Sequence, residues 1–123
     1  MDNPKLLSPS VLAFVGDAVY SLLVRTYIAD ENKPSEALHN AAVKFVSATA
    51  QAKAFEKIKP HLTEEEMSVF TRGRNFHTAN TPKSSNPAEY HTATGLETLF
   101  GYLHLADRKN RIDELFRIIL DAG

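Results

Sequence analysis

Apolar residues recur at three- and four-residue steps along most of the chain, and no segment shows the sustained alternation of a half-buried strand. The first such stretch, "LAFVGDAVYSLLV" (residues 12–24), is apolar almost throughout. Ser8 or Ser10 can cap it and Pro9 suits its first turn, which predicts a helix to about Ala29. "DENKPS" reads as a turn, and Pro34 and Ser35 open a second long helix expected to run to about Ile58. Its apolar positions Leu38, Ala41, Ala42, Phe45, Val46 and Ala48 keep the helical period, and Pro60 ends it. "LTEEEM" offers a capping box, Thr63 with Glu66, for a helix fading near Gly73. "NFHTANTPKSSNP" is polar, lacks periodicity and reads as an exposed loop. Pro87 opens a further helix to about Ala106. A last one, Arg111 to Asp121, turns Ile112, Leu115, Phe116, Ile119 and Leu120 inward. The expectation is an all-α fold of five to six helices forming one domain over residues 1–123.

Composition narrows the chemistry. A chain of 123 residues, 43% hydrophobic and 24% charged, is globular in balance and sized for one domain. Without cysteine there is no disulfide framework, thiolate zinc site or cysteine nucleophile. No basic segment precedes an apolar one at the N-terminus. The run from Val11 to Val24 falls short of the roughly 20 residues of a membrane span, and Asp17 interrupts it. A cytoplasmic protein with no membrane partner is expected. The five histidines are scattered, none precedes an aspartate, and no HExxH, Walker A or dinucleotide fingerprint occurs. The net charge of −1 is unevenly spread: Met67 to Ala88 holds Arg72, Arg74, His77 and Lys83 and no acid. Such a segment can contact phosphates on an otherwise neutral domain.

Two acids stand out. Asp17 is the lone charge in the first apolar stretch, and Glu97 is the lone acid between His91 and Ala106. A carboxylate in such surroundings costs stability unless compensated. Asp17 has Ala13 and Ser21 four residues to either side, and Glu97 has Ala93 and Gly101. Residues four apart share a helix face, so small side chains flank each acid where two helices could cross closely. Facing carboxylates repel and raise each other's pKa, and a hard divalent cation such as magnesium relieves this with one or two carboxylates plus water and phosphate oxygens. The pattern equally admits a solvent-facing groove in which the acids pair with Arg25, Arg108 or Arg111.

The residues around these acids resemble the ribonuclease III catalytic domain. "FVGDAV" (Phe14 to Val19) is similar to that family's Phe-Leu-Gly-Asp-Ala-Val signature, and "ETLFG" (Glu97 to Gly101) to its Glu-Ala-Leu-Ile-Gly motif. "GDAVY", "VSATAQA", "LTEEE", "RGRN", "TPK" and "TGLETLFGYLHL" are similar to its Mini-ribonuclease III branch, which lacks a double-stranded-RNA-binding domain. The resemblance implies a helical homodimer that hydrolyses double-stranded RNA with magnesium, or manganese in its place. It also implies a role in maturing the ends of the large-subunit (23S) ribosomal RNA precursor, where a ribosomal protein could assist. Asp17 and Glu97 match catalytic and metal-binding acids of the family. Ser10, Ala13 and Thr94 stand where ribonuclease III proper carries further acids. Thr94 could hold a metal-bound water or simply bond its own helix backbone. Arg72, Arg74, Asn75 and Lys83 are the candidate RNA contacts, through phosphate oxygens and 2′-hydroxyls. Phe14 and Val15 are the candidate dimer interface. Ser47 and Gln51, four apart, could touch substrate or be ordinary helix-surface residues. The alternative to an enzyme is a non-catalytic RNA-binding or ribosome-assembly module that keeps a degenerate nuclease fold.

Overall fold

The computed structural model describes residues 3–29, 32–76 and 86–121. Six α-helices follow one another among the described residues: α1 (Pro9–Ile28), α2 (Ser35–Val46), α3 (Ala48–Ile58), α4 (Glu64–Arg74), α5 (Pro87–Leu105) and α6 (Lys109–Leu120). No strand occurs among the described residues. Short 3-10 turns at Pro4–Leu6 and Lys59–His61 complete them.

Local chemistry accounts for the ends. Ser8 Oγ accepts from Val11 N at 3.3 Å and Pro9 occupies the first turn of α1. The Thr63–Glu66 capping box is closed in both directions, at 3.1 and 2.9 Å. Asn86 caps α5 directly before Pro87. At the far end of the chain, Lys57 Nζ donates to Ile119 O and Asp121 O at 3.0 and 2.8 Å, satisfying carbonyls that the end of α6 leaves open.

The second helix departs from expectation. The 34–58 stretch is two helices, broken at Ser47, whose ψ of 156° is extended. In a continuous helix Val46 O would accept from Ala50 N. Here Ala50 N donates to Ser47 Oγ at 3.2 Å, and Val46 O accepts from Gln51 Nε2 at 3.0 Å. Two side chains thus take up the groups that the break frees.

Helix α5 runs through the centre, with α1, α3 and α4 packed around it and α6 against α3 and α5. Every residue from Gly95 to Leu103 is buried except Glu97. Tyr20 meets Phe100 and Phe116 edge-on at 5.3 and 6.0 Å, and Phe55 stacks on Phe70 at 3.7 Å. Glycines set the approach of α4: a Cβ on Gly73 would lie 2.2 Å from Thr98 Oγ1, and one on Gly95 would lie 2.6 Å from the Phe70 ring. At 20 residues α1 is longer than its apolar run suggests, and by length and composition it is apolar enough to cross a membrane. In this fold its row Leu12, Gly16, Tyr20, Val24 and Ile28 is the face buried in the helical core.

Candidate active site

The crossing of α1 and α5 is a contact of backbone on backbone. A Cβ on Gly16 would fall 1.6 Å from Glu97 O, and one on Gly101 would fall 1.9 Å from Leu12 O. Only residues without a side chain allow that approach. Asp17 follows Gly16 and emerges exposed at the edge of the crossing, while Glu97 is half-buried beside it. Their carboxyl groups are within hydrogen-bonding reach of each other. The two acids, eighty positions apart in the chain, therefore meet.

The reason they meet differs from the sequence expectation. On α1 the contact row is the one through Gly16, and the row Ala13, Asp17, Ser21 lies beside it, with Ala13 and Ser21 half-buried. On α5 the row Ala93, Glu97, Gly101 does face inward. An acid one position off the closest point keeps access to solvent. At the closest point it would lose its hydration entirely.

Burial pushes the Glu97 carboxyl up to about 8, and the charge and hydrogen bond of Asp17 add to the rise. Gln51 opposes it: its Nε2 donates to Glu97 Oε2 at 3.5 Å. No cation is paired with either acid among the described residues. Arg108 is bound to Glu65, and Arg111 to Glu66 and Glu114. Arg25 lines a cavity of about 280 Å³ with Ser35 and His39. The groove in which arginines neutralise the acids is therefore not the observed arrangement. Thr94 Oγ1 donates to Tyr90 O at 3.0 Å, the ordinary bond of a helical threonine.

These residues fit a divalent ion. Two carboxylates held together against their repulsion, with one open to solvent, are a ligand set that magnesium completes with water and phosphate oxygens. No cluster of three or more His, Cys, Asp or Glu that could hold an ion occurs among the described residues, so the protein would contribute two ligands here.

A model of the ribonuclease III domain matches residues 10–108 of the chain. The chain belongs to the ribonuclease III family. It is 40% identical over 119 residues to Mini-ribonuclease 3 of Clostridium tetani, covering 95% of this chain and 79% of that one. To Mini-ribonuclease 3 of a Thermoanaerobacter species it is 47% identical over 113 residues, covering 91% and 80%. Its fold is similar to that of a Fusobacterium nucleatum protein of known crystal structure, with a TM-score of 0.85, 29% identity and coverage of 94% and 93%. The protein is an endoribonuclease of the ribonuclease III type.

The other expected site residues divide. Arg74 and Asn75 are exposed where α4 ends, beyond Gly73, which packs on Thr98, the residue after Glu97. Arg74 lies 5.9 Å from the centre of the Phe70 ring, and its Nε donates to Asn75 Oδ1 at 3.3 Å. Arg72 differs from expectation. Its guanidinium donates to Lys5 O and Leu7 O at 2.9 and 3.0 Å, tying the N-terminal segment to α4 rather than standing free for phosphate. His77 and Lys83 lie outside the described residues. Phe14 is 81% exposed and joins Val11, Ala18 and Leu22 in an open apolar row on α1, while Val15 is half-buried beside it. Of the two readings open for Gln51, the helix-surface one does not hold: the residue is 3% exposed and in contact with Glu97. Its signal in the sequence is the four-residue step from Ser47, which marks the cap of α3 once the helix is seen to break there.

Proposed function

We propose that this ribonuclease III-type enzyme cleaves double-stranded RNA with magnesium held by Asp17 and Glu97, and that manganese can replace it. The observation that carries the reading is the uncompensated acid pair, with the Glu97 carboxyl raised to about 8 beside Asp17. Bound there, the ion would supply an activated water and stabilise charge developing at the phosphate. Asp17, exposed at the rim, meets substrate from the solvent side. Glu97 is anchored in the central helix and fixes the position of the ion relative to the fold. Gly16 and Gly101 hold the two helices at the spacing that both acids need.

Arg74 and Asn75 offer phosphate and 2′-hydroxyl contacts at the end of α4, and Lys83 belongs to the same basic segment. One domain with so few cations binds RNA weakly. The open row Val11, Phe14, Ala18 and Leu22, with Val15 at its border, suits a two-fold homodimer that sets two such surfaces on one duplex and raises avidity. Motif resemblance favours 23S ribosomal RNA precursor as the substrate, in the cytoplasm and apart from membranes, with a ribosomal protein assisting.

The test is cleavage of a perfect RNA duplex with and without magnesium. Asp17→Asn should lower the rate by about a thousandfold, equivalent to roughly 4 kcal/mol of barrier, with duplex binding retained. Full cleavage by Asp17→Asn at millimolar magnesium would reject the assignment. Cleavage that proceeds equally well in chelator would reject the magnesium assignment while leaving the nuclease activity in place.

A further inference from the structure

Gln51 is an anomaly as a core residue. Its side chain is 3% exposed, and its Oε1 accepts no hydrogen bond among the described residues. Burying an unbonded oxygen costs free energy, and an apolar side chain of the same shape would avoid the cost. The amide orientation is nonetheless forced. Nε2 faces Val46 O at 3.0 Å and Glu97 Oε2 at 3.5 Å, and turning the amide over would set its oxygen against the Val46 carbonyl.

We propose that Gln51 is a positioning residue for Glu97: the break between α2 and α3 fixes its amide, and the amide in turn orients the Glu97 carboxylate toward Asp17. The chain of contacts is continuous. The extended Ser47 ends α2 and leaves Val46 O without its helical donor, and Gln51 Nε2 fills that place. Anchored at that carbonyl, the same nitrogen reaches Glu97. Groups that hold a metal ligand in place contribute to ion affinity without touching the ion. The proposal rests on the reading of Asp17 and Glu97 as metal ligands, and its test separates the two.

Manganese binding to the RNA-free protein, followed by electron paramagnetic resonance, is measured for the wild type, Gln51→Met, Gln51→Asn and Glu97→Gln, alongside thermal melts in chelator. Glu97→Gln should abolish binding, and if it does not, the reading of the acids fails and the proposal with it. Gln51→Met keeps the length of the side chain but loses the donor and the orphaned oxygen. It should bind manganese about tenfold more weakly while staying folded, the donor lost to Val46 O being offset in part by removal of the orphaned oxygen. Gln51→Asn keeps the amide one methylene too short and should lose affinity likewise. Wild-type affinity in either folded Gln51 variant, with Glu97→Gln deficient, would overturn the proposal and spare the acids. So would a lower melting temperature with unchanged affinity. In the wild-type protein the Gln51 side-chain amide resonance should shift as magnesium is added. A resonance that stays in place counts against the proposal even if no variant folds.

Discussion

Glu66 and Glu97 are acids on neighbouring helices of one core, and the fold treats them in opposite ways. Glu66 is 2% exposed, and all its needs are met. Arg111 forks onto its two oxygens at 2.8 Å each, and Thr63 N donates at 2.9 Å. Burial alone would push the Glu66 carboxyl up, but these bonds outweigh it and hold it below the usual carboxylate range. Glu97 keeps more solvent contact than Glu66 yet sits at about 8: burial pushes its carboxyl up, the Asp17 carboxyl adds to the rise, and its amide donor is distant. A completed acid contributes to the fold. An acid left incomplete at a crossing built from glycines has no cation paired with it among the described residues, and the proposed magnesium would supply that partner.

The comparison breaks most severely where the geometry that makes Glu97 incomplete is removed. In Gly16→Ala the new methyl group would meet a backbone carbonyl that cannot yield without spreading α1 from α5. A destabilisation of more than about 3 kcal/mol is expected, at the high end for overpacking, together with the disappearance of magnesium stabilisation. Gly73→Ala meets instead the Thr98 side chain and should cost less, about 1–3 kcal/mol. Denaturant melts of both variants with and without magnesium check this, and equal costs would contradict the contrast.

Neutralising each acid comes next. Glu66→Gln leaves the partly exposed Arg111 facing a neutral amide and should cost about 2–3 kcal/mol, below the figure for a pair buried on both sides. Activity per folded molecule should be unchanged. Glu97→Gln should cost nothing in metal-free buffer near pH 8 and abolish cleavage. If the two variants lose stability alike, Glu97 is a structural acid after all.

A third test uses pH. The Glu97 value of about 8 lies above its ordinary 4.5, so between these values the folded chain holds a proton that the unfolded chain has released. Stability from this group is fully present below pH 4.5 and lost as pH rises through 8. On the order of 2 kcal/mol should disappear between pH 5 and 8.5 in chelator, less than the full shift implies because Glu97 keeps some solvent contact. Magnesium should restore it at the alkaline end, and Glu97→Gln should flatten the slope. Glu66, shifted the other way, loses its contribution only on acidification toward its lowered value.

Where a residue's role is set by its neighbours in sequence, it was legible. The Ser8–Pro9 start, the Thr63–Glu66 box and the Pro87 start are local chemistry, and all three stand in the fold. Asp17 and Glu97 could be singled out because a lone charge in an apolar helix is visible one residue at a time. The break at Ser47 was not legible, because apolar residues keep the helical period across it and serine serves equally as cap or helix residue. Gln51 went with it, since its burial depends on that break. The tether made by Arg72 was hidden for a related reason: a count of cations cannot show that two carbonyls some 65 residues away will claim one of them.

The smallest expected effect separates the two arginines of "RGRN". Arg74 is exposed and its guanidinium bonds the adjacent Asn75 side chain, whereas Arg72 is committed to the backbone at Lys5 and Leu7. Removing one cation from a phosphate lowers the log–log salt slope of duplex binding by about 0.9. Arg74→Ala should therefore flatten the slope by roughly one unit if one subunit of a dimer grips the duplex, and by roughly two if both do. Arg72→Ala should leave the slope near the wild-type value but lower the melting temperature, because the N-terminal segment loses its tether. An unchanged slope in Arg74→Ala with a flattened one in Arg72→Ala would reverse the roles, and would mean that RNA draws the Arg72 guanidinium off its carbonyls on binding.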